Sequence, residues 1–123
     1  MRYDAYSPRV PWQIIFHQSV SEWLSTLPRK ERDSFVRAVE MLKEFGPTLG
    51  RPLVGSIKSS SFKNMKELRP LSTNMRCLFA FDHMRRAILL VAGDKSFRWR
   101  GWYQSAIPLA DDCFRAYLKR ESM

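Results

Sequence analysis

Six consecutive apolar residues, Ala87 to Ala92 (AILLVA), stand between Arg85-Arg86 and Gly93-Asp94. The run is far shorter than the ~20 residues of a membrane span. It suits a central strand covered on both faces, where no polar alternation is needed. Its neighbours follow from it. Met75 to Phe81 (MRCLFAF) reads as a strand, joined to it by a hairpin connection at Asp82 to Arg86. Lys63 to Arg69 (KNMKELR) is a further strand, ending at Pro70, and Leu71 to Asn74 is a turn.

The first half of the chain changes period. Trp12 to Phe16 (WQIIF) is short and rich in β-formers, a first strand. Val20, Trp23, Leu24 and Leu27 then fall at helical spacing, with Ser19 placed to cap. Pro28 opens a second helix, Arg29 to Phe45, with Phe35, Val36, Val39, Leu42 and Phe45 apolar and Gly46-Pro47 as its stop. So short a joint folds the two helices into a hairpin. Residues 46–61 are rich in Gly, Pro and Ser and read as a loop with one brief extended piece at Leu53 to Ile57. From Trp99 onward the chain is helical, with Pro108 restarting the helix. The expected fold is α+β: a small antiparallel sheet packed against an N-terminal helical hairpin, with a C-terminal helix.

The 123 residues suit one domain, with residues 1–11 a loose arm. That arm has no apolar run, so no secretory signal is expected and the default location is cytoplasmic. Cys77 and Cys113 are isolated, Cys77 within an apolar run; a disulfide is not favoured, and a zinc site or other metal is not expected. Net charge is +9, and residues 62–100 carry nine Lys/Arg against three acids, which is +6 of it. Such a segment attracts polyanions, whether nucleic acid or an acidic protein.

The stretches GPTLGRPLV, NMKELRP, MRCLFAFD, RRAILLVAGDKS and WYQSAIPLADD, in that order, resemble toxins of the RelE/ParE superfamily, in its HigB-like branch. The resemblance runs from about Trp12 to Leu118. It implies a RelE-like sheet whose basic residues grip messenger RNA in the ribosomal decoding site. It implies a partner, a HigA-like antitoxin with a helix-turn-helix domain. It implies an mRNA interferase of a type II toxin–antitoxin system, inhibiting translation with no cofactor, while ParE-like branches inhibit DNA gyrase without catalysis.

RNA cleavage of this kind needs a base for the 2′-hydroxyl, an acid for the leaving 5′-oxygen and cations for the phosphorane. Met65, Glu67 and Arg69 alternate onto one sheet face, with Lys66 and Leu68 on the other. Arg69 resembles the family's strand arginine and could clamp a phosphate, or else pair with Glu67 or the C-terminal helix. Arg76 matches the phosphate-binding arginine after the turn and shares its face with Leu78 and Ala80. Lys95 resembles the basic residue ending the next strand; with an ordinary pKa near 10.4 it suits charge stabilisation, or it is a solvated turn lysine. Tyr103 matches an aromatic that stacks or moves a proton, or it is core, as Trp102 is expected to be. Glu67 departs from the lysine of well-known relatives and is a general base or, the favoured reading, orients Arg69 or Arg76. Lys63, Lys66, Arg98 and Arg100 are the expected RNA-backbone contacts. His17 and His83 fall outside this set. A gyrase inhibitor and a non-toxic nucleic-acid-binding module are the competing functions.

Overall fold

A computed structural model describes residues 10–94 and 99–122, the side chains of Trp99 and Arg100 excepted. The elements are β1 (Gln13–Phe16), α1 (Gln18–Ser25), α2 (Arg29–Phe45), a 3₁₀ turn at Gly46–Thr48, β2 (Val54–Ser56), β3 (Met65–Leu68), β4 (Met75–Phe81), β5 (Arg86–Asp94) and α3 (Trp99–Glu121). The expected arm lies outside the described residues up to residue 9.

The strands form one sheet in the order β1-β5-β4-β3-β2. β2 to β5 are antiparallel, but β1 lies parallel to β5, with Ile15 opposite Ile88. The sheet is therefore mixed rather than purely antiparallel. No hairpin sets the direction of β1, because two helices and three strands separate it from β5 in sequence. β2 grows from the brief extended piece at Leu53 to Ile57 and makes a fifth strand.

The apolar run of β5 is covered on both sides. On one face Val20 of α1 and Phe35 and Leu42 of α2 pack on Cys77, Phe79 and Leu89. Trp23 and Phe35 meet edge to face at 5.4 Å and close the helical hairpin. On the other face Ala106, Ile107, Ala110 and Phe114 of α3 pack on Met65, Leu78, Ile88 and Leu90. A bulge between Leu78 and Phe79 leaves Leu90 as the extra residue: Leu78 pairs with Val91 while Phe79 pairs with Leu89.

Four local expectations change. His17, not Ser19, caps α1, its ring accepting from the Ser19 backbone N–H at 3.1 Å. Val36 is exposed rather than part of the apolar stripe of α2. β5 runs two residues past Ala92, because Gly93 and Asp94 still find partners in Arg76 and Met75. Pro108 does not restart α3 but sits inside it, on the exposed side, where the freed carbonyl of Gln104 faces a solvent-exposed turn.

At the far end of the β4–β5 hairpin the Asp82 carboxylate accepts from Arg86 Nε at 2.7 Å, Tyr117 Oη at 2.8 Å, and the backbone N–H groups of Met84 and Arg86. Burial alone would raise its pKa, but these hydrogen bonds outweigh burial and hold it below the usual carboxylate range. Arg86 also reaches Glu121 at 3.0 Å, which fixes the C-terminal turn of α3. Both cysteines are free; burial pushes the Cys77 thiol far up, which makes it an inert apolar group.

Candidate active site

β3 and β4 alternate, so Glu67 and Leu78 face α3 together while Lys66 and Phe79 face the helical hairpin. The register places Leu68 opposite Cys77, and one step further brings Arg69 beside Arg76 at the open end of the pair. Like charges side by side across a sheet repel. Glu67, one row inward and only 2% exposed, offsets both. Its Oε2 accepts from Arg69 Nε at 2.8 Å, and its Oε1 lies 3.9 Å from Arg76 Nε. The same Oε1 accepts the hydroxyl proton of Tyr103, carried in by the first turns of α3. A buried carboxylate is costly unless paired and hydrogen-bonded, and here it is both.

Arg76 is the more enclosed arginine, its side chain 14% exposed against 29% for Arg69. Its Nη1 donates to the Met75 carbonyl at 2.7 Å. Its Nε is buried with no hydrogen-bond acceptor among the described residues, since 3.9 Å to Glu67 is an ion-pair distance but too long for a hydrogen bond. Tyr103 is pushed up to about 12, first by burial and then by its hydrogen bond to and the charge of Glu67, with Arg76 pulling the other way. At neutral pH it is a protonated donor, not a base.

Two glycines flank this row. Gly55 of β2 lies opposite Glu67, and a Cβ there would stand 2.6 Å from Arg69 Nη2 and 2.8 Å from its Cζ. Gly93 of β5 lies opposite Arg76, and a Cβ there would collide with the indole of Trp102. Trp102 is half-buried against the α3-side core, its ring 5.0 Å from that of Tyr103. In the sequence Gly55 falls within the brief extended piece at Leu53 to Ile57, with no close approach expected there, and Gly93 reads as a strand stop. The available signal was a glycine inside a strand, which marks close approach by another group.

Glu67, Arg69, Arg76 and Tyr103 are thus brought together. Lys66 is on the opposite sheet face from Glu67. Lys63 lies in the turn before β3, beside Asn64, which binds the Phe81 carbonyl at the far end of β4. Lys63 is therefore at the opposite end of β3 from Arg69. Lys95 and Arg98 lie outside the described residues, as does the side chain of Arg100, whose backbone is in the first turn of α3. Among the described residues no three His, Cys, Asp or Glu side chains are grouped so as to hold a metal ion.

Residues 22–115 match the family described as phage derived protein Gp49-like. The chain is 45% identical, over 88% of its length and 95% of the relative's, to a Mycobacterium tuberculosis protein named toxin HigB3. It is 46% identical over 82% of its length to one named HigB2 from the same organism, of which it spans 52%. Its fold is similar to that of RelE in the RelE–RelB complex of Pyrococcus horikoshii, with a TM-score of 0.58, 15% identity, and 70% of this chain and 97% of that one covered. It is also similar to the isolated Escherichia coli RelE toxin, with a TM-score of 0.55, 10% identity, and 68% and 83% covered. A family match across most of the chain and close sequence identity to HigB toxins show that the chain belongs to the Gp49-like family of HigB toxins, with a fold like that of RelE.

Proposed function

We propose that this toxin stops translation by cutting messenger RNA on the ribosome, through the cluster of Arg69, Arg76, Glu67 and Tyr103. The observation that carries the reading is the side-by-side placement of Arg69 and Arg76 at the end of β3 and β4, held by one buried carboxylate, with Arg69 the more exposed of the two. Paired guanidinium forks suit the non-bridging oxygens of a phosphodiester. In the reaction the 2′-oxygen bonds to phosphorus and the bond to the 5′-oxygen breaks, leaving a 2′,3′-cyclic phosphate and a 5′-hydroxyl. One proton leaves the 2′-hydroxyl and one reaches the 5′-oxygen. The two arginines stabilise the extra negative charge of the phosphorane, and Lys95 adds a third cation. Glu67 has both oxygens engaged by its partners and acts as the positioning residue for the arginines. Tyr103, protonated at neutral pH, is suited to give a proton and not to take one.

The partner is an antitoxin. The Pyrococcus RelE was solved with RelB, as was the related Mycobacterium tuberculosis RelBE2 pair, whose fold likeness has a TM-score of 0.54 at 16% identity. We take the antitoxin to be HigA-like, with a helix-turn-helix domain, and the site of action to be the cytoplasm, where ribosomes are. No helix among the described residues is long and apolar enough to cross a membrane.

Expression of the chain without antitoxin, with pulse-labelling, tests this. Methionine incorporation is expected to fail before thymidine incorporation, with new 5′-hydroxyl ends on ribosome-bound messages. Thymidine failing first, with intact messages, would replace this reading with ParE-like inhibition of gyrase.

A further inference from the structure

Beside Tyr103 lies a cavity of about 440 Å³, walled by Ser59, Ser61, Gln104, Ile107 and Pro108. Its volume is within the ~300–1,000 Å³ of small-ligand sites. One wall is a serine loop that would be loose on its own. It is pinned from beneath by Asp111 of α3, a buried acid that the cleavage chemistry does not use. Asp111 accepts from Ser60 Oγ through one oxygen and from the Ser61 backbone N–H at 2.8 Å through the other. Ser60 Oγ in turn accepts from the Phe62 N–H at 2.9 Å, so the loop is held at three points.

The loop leaves its free polar groups at the cavity. The Ser59 and Ser61 hydroxyls and the Gln104 side-chain amide form no hydrogen bond with any described residue. Ile107 and the Pro108 ring, one turn along α3 from Gln104 and on the same face, add apolar surface beside the amide. An amide with both donor and acceptor, two hydroxyls and a flat apolar wall match an unstacked nucleobase, which is read by hydrogen bonds on its edge and packing on its face. Among the described residues the lining carries no Lys or Arg and includes the Asp111 carboxylate, which disfavours an anion there. Tyr103 lines this cavity and donates to Glu67, the carboxylate that holds the arginine pair, so the cavity adjoins the proposed phosphate site.

Resting on the proposed ribonuclease reading, we infer that this cavity is a nucleobase subsite and that Gln104, with Ser61, sets which messenger sequence is cut. An amide that pairs two edge atoms of one base discriminates by about tenfold or more against the others.

Two measurements test it. In the first, purified ribosomes are programmed with messages that differ in one nucleotide at the cleavage position, and cleavage rates are compared for wild type, Gln104→Ala and Ser61→Ala. The spread of rates between bases is expected to shrink about tenfold in Gln104→Ala. A spread that is unchanged, or a fall by one common factor for every base, overturns the subsite while leaving the ribonuclease reading intact. In the second, the side-chain amide resonances of Gln104 are followed by NMR while each of the four ribonucleoside 3′-monophosphates is titrated in. Shifts that differ between bases, and that lose those differences in Ser61→Ala, support the subsite even if the protein cleaves nothing. Identical responses to all four, or none, overturn it.

Discussion

The guanidinium of Arg69 lies against the bare backbone of Gly55, at a place where a Cβ would stand 2.6 Å from Nη2. Gly55 is in extended strand backbone opposite Glu67, so alanine is compatible with its conformation and the conflict is with Arg69 alone. Gly55→Ala is expected to reduce cleavage about as much as Arg69→Ala while the protein stays folded. In an Arg69→Lys background the collision is gone, and adding Gly55→Ala should cost almost nothing. Measured as a double-mutant cycle, the two effects are strongly non-additive. Additive losses would make Gly55 a general strand position with no tie to Arg69.

Arg76→Ala should abolish toxicity with antitoxin affinity and melting temperature close to wild type. Loss of a preorganised cation at the phosphorane costs ~3 kcal/mol, a hundredfold in rate or more. Arg76→Lys keeps the charge without the planar fork and should fall between. Growth arrest and thermal melting are scored on the same variants. A folded Arg76→Ala protein that still arrests growth would remove Arg76 from the site.

Glu67→Gln keeps the shape of the buried hub and removes its charge. Arg69 and Arg76 then repel each other uncompensated, for a stability loss of roughly 2 kcal/mol, less than for a fully buried pair because Arg69 keeps contact with water. Tyr103 loses both the carboxylate hydrogen bond and the charge that add to the effect of burial, so its pKa should drop from about 12 toward the ordinary 10. The chain has four tyrosines, so an absorbance titration needs a Tyr103→Phe subtraction. An unmoved Tyr103 titration would mean that burial alone sets its value.

Asp82 predicts an acid sensitivity that belongs to the fold and not to the site. Its folded-state pKa lies below the unfolded value near 3.9, so the stability it contributes is complete above about pH 4 and is lost as pH falls through the folded value. Asp82→Asn should be less stable than wild type at pH 7, with the gap closing in stronger acid. Urea unfolding of both proteins from pH 7 down to about pH 2.5 gives the comparison. A gap that does not change with pH would assign the loss to packing.

Much of this was legible before any coordinates. Alternation in KNMKELR put Glu67 and Arg69 on one face and Lys66 on the other, and the face that Arg76 shares with Leu78 and Ala80 follows from the same rule. What could not be read were relations across sequence distance. Tyr103 reaches Glu67 over 36 residues, and Asp111 reaches Ser60 over 51. No local period encodes either. Gly55 and Gly93 were visible as glycines, but their meaning depends on which side chain lies over them. β2 was legible only as a brief extended piece, because three residues among Gly, Pro and Ser carry too little pattern to give its partner or its place in the sheet. The parallel placement of β1 was invisible for a related reason: a strand's direction is written in its connection, and this connection is two helices and most of a sheet.

The bulge in β5 has a bearing on how such a chain can change in length. Ile88 and Gly93 both face α3, yet they are an odd number of residues apart, which strict alternation forbids. Leu90 supplies the missing step. The strand is therefore two segments of opposite phase, one committed to the core and one to the arginine row, spliced at a single leucine. Removal of Leu90 would leave Phe79 on Leu89 and Leu78 on Val91 in an unbroken ladder, at the expense of one core side chain. Removal of any other residue between Ile88 and Gly93 would force one segment to turn inside out unless the bulge moved to absorb it. The splice makes the core and the site separately editable, within a strand of nine residues.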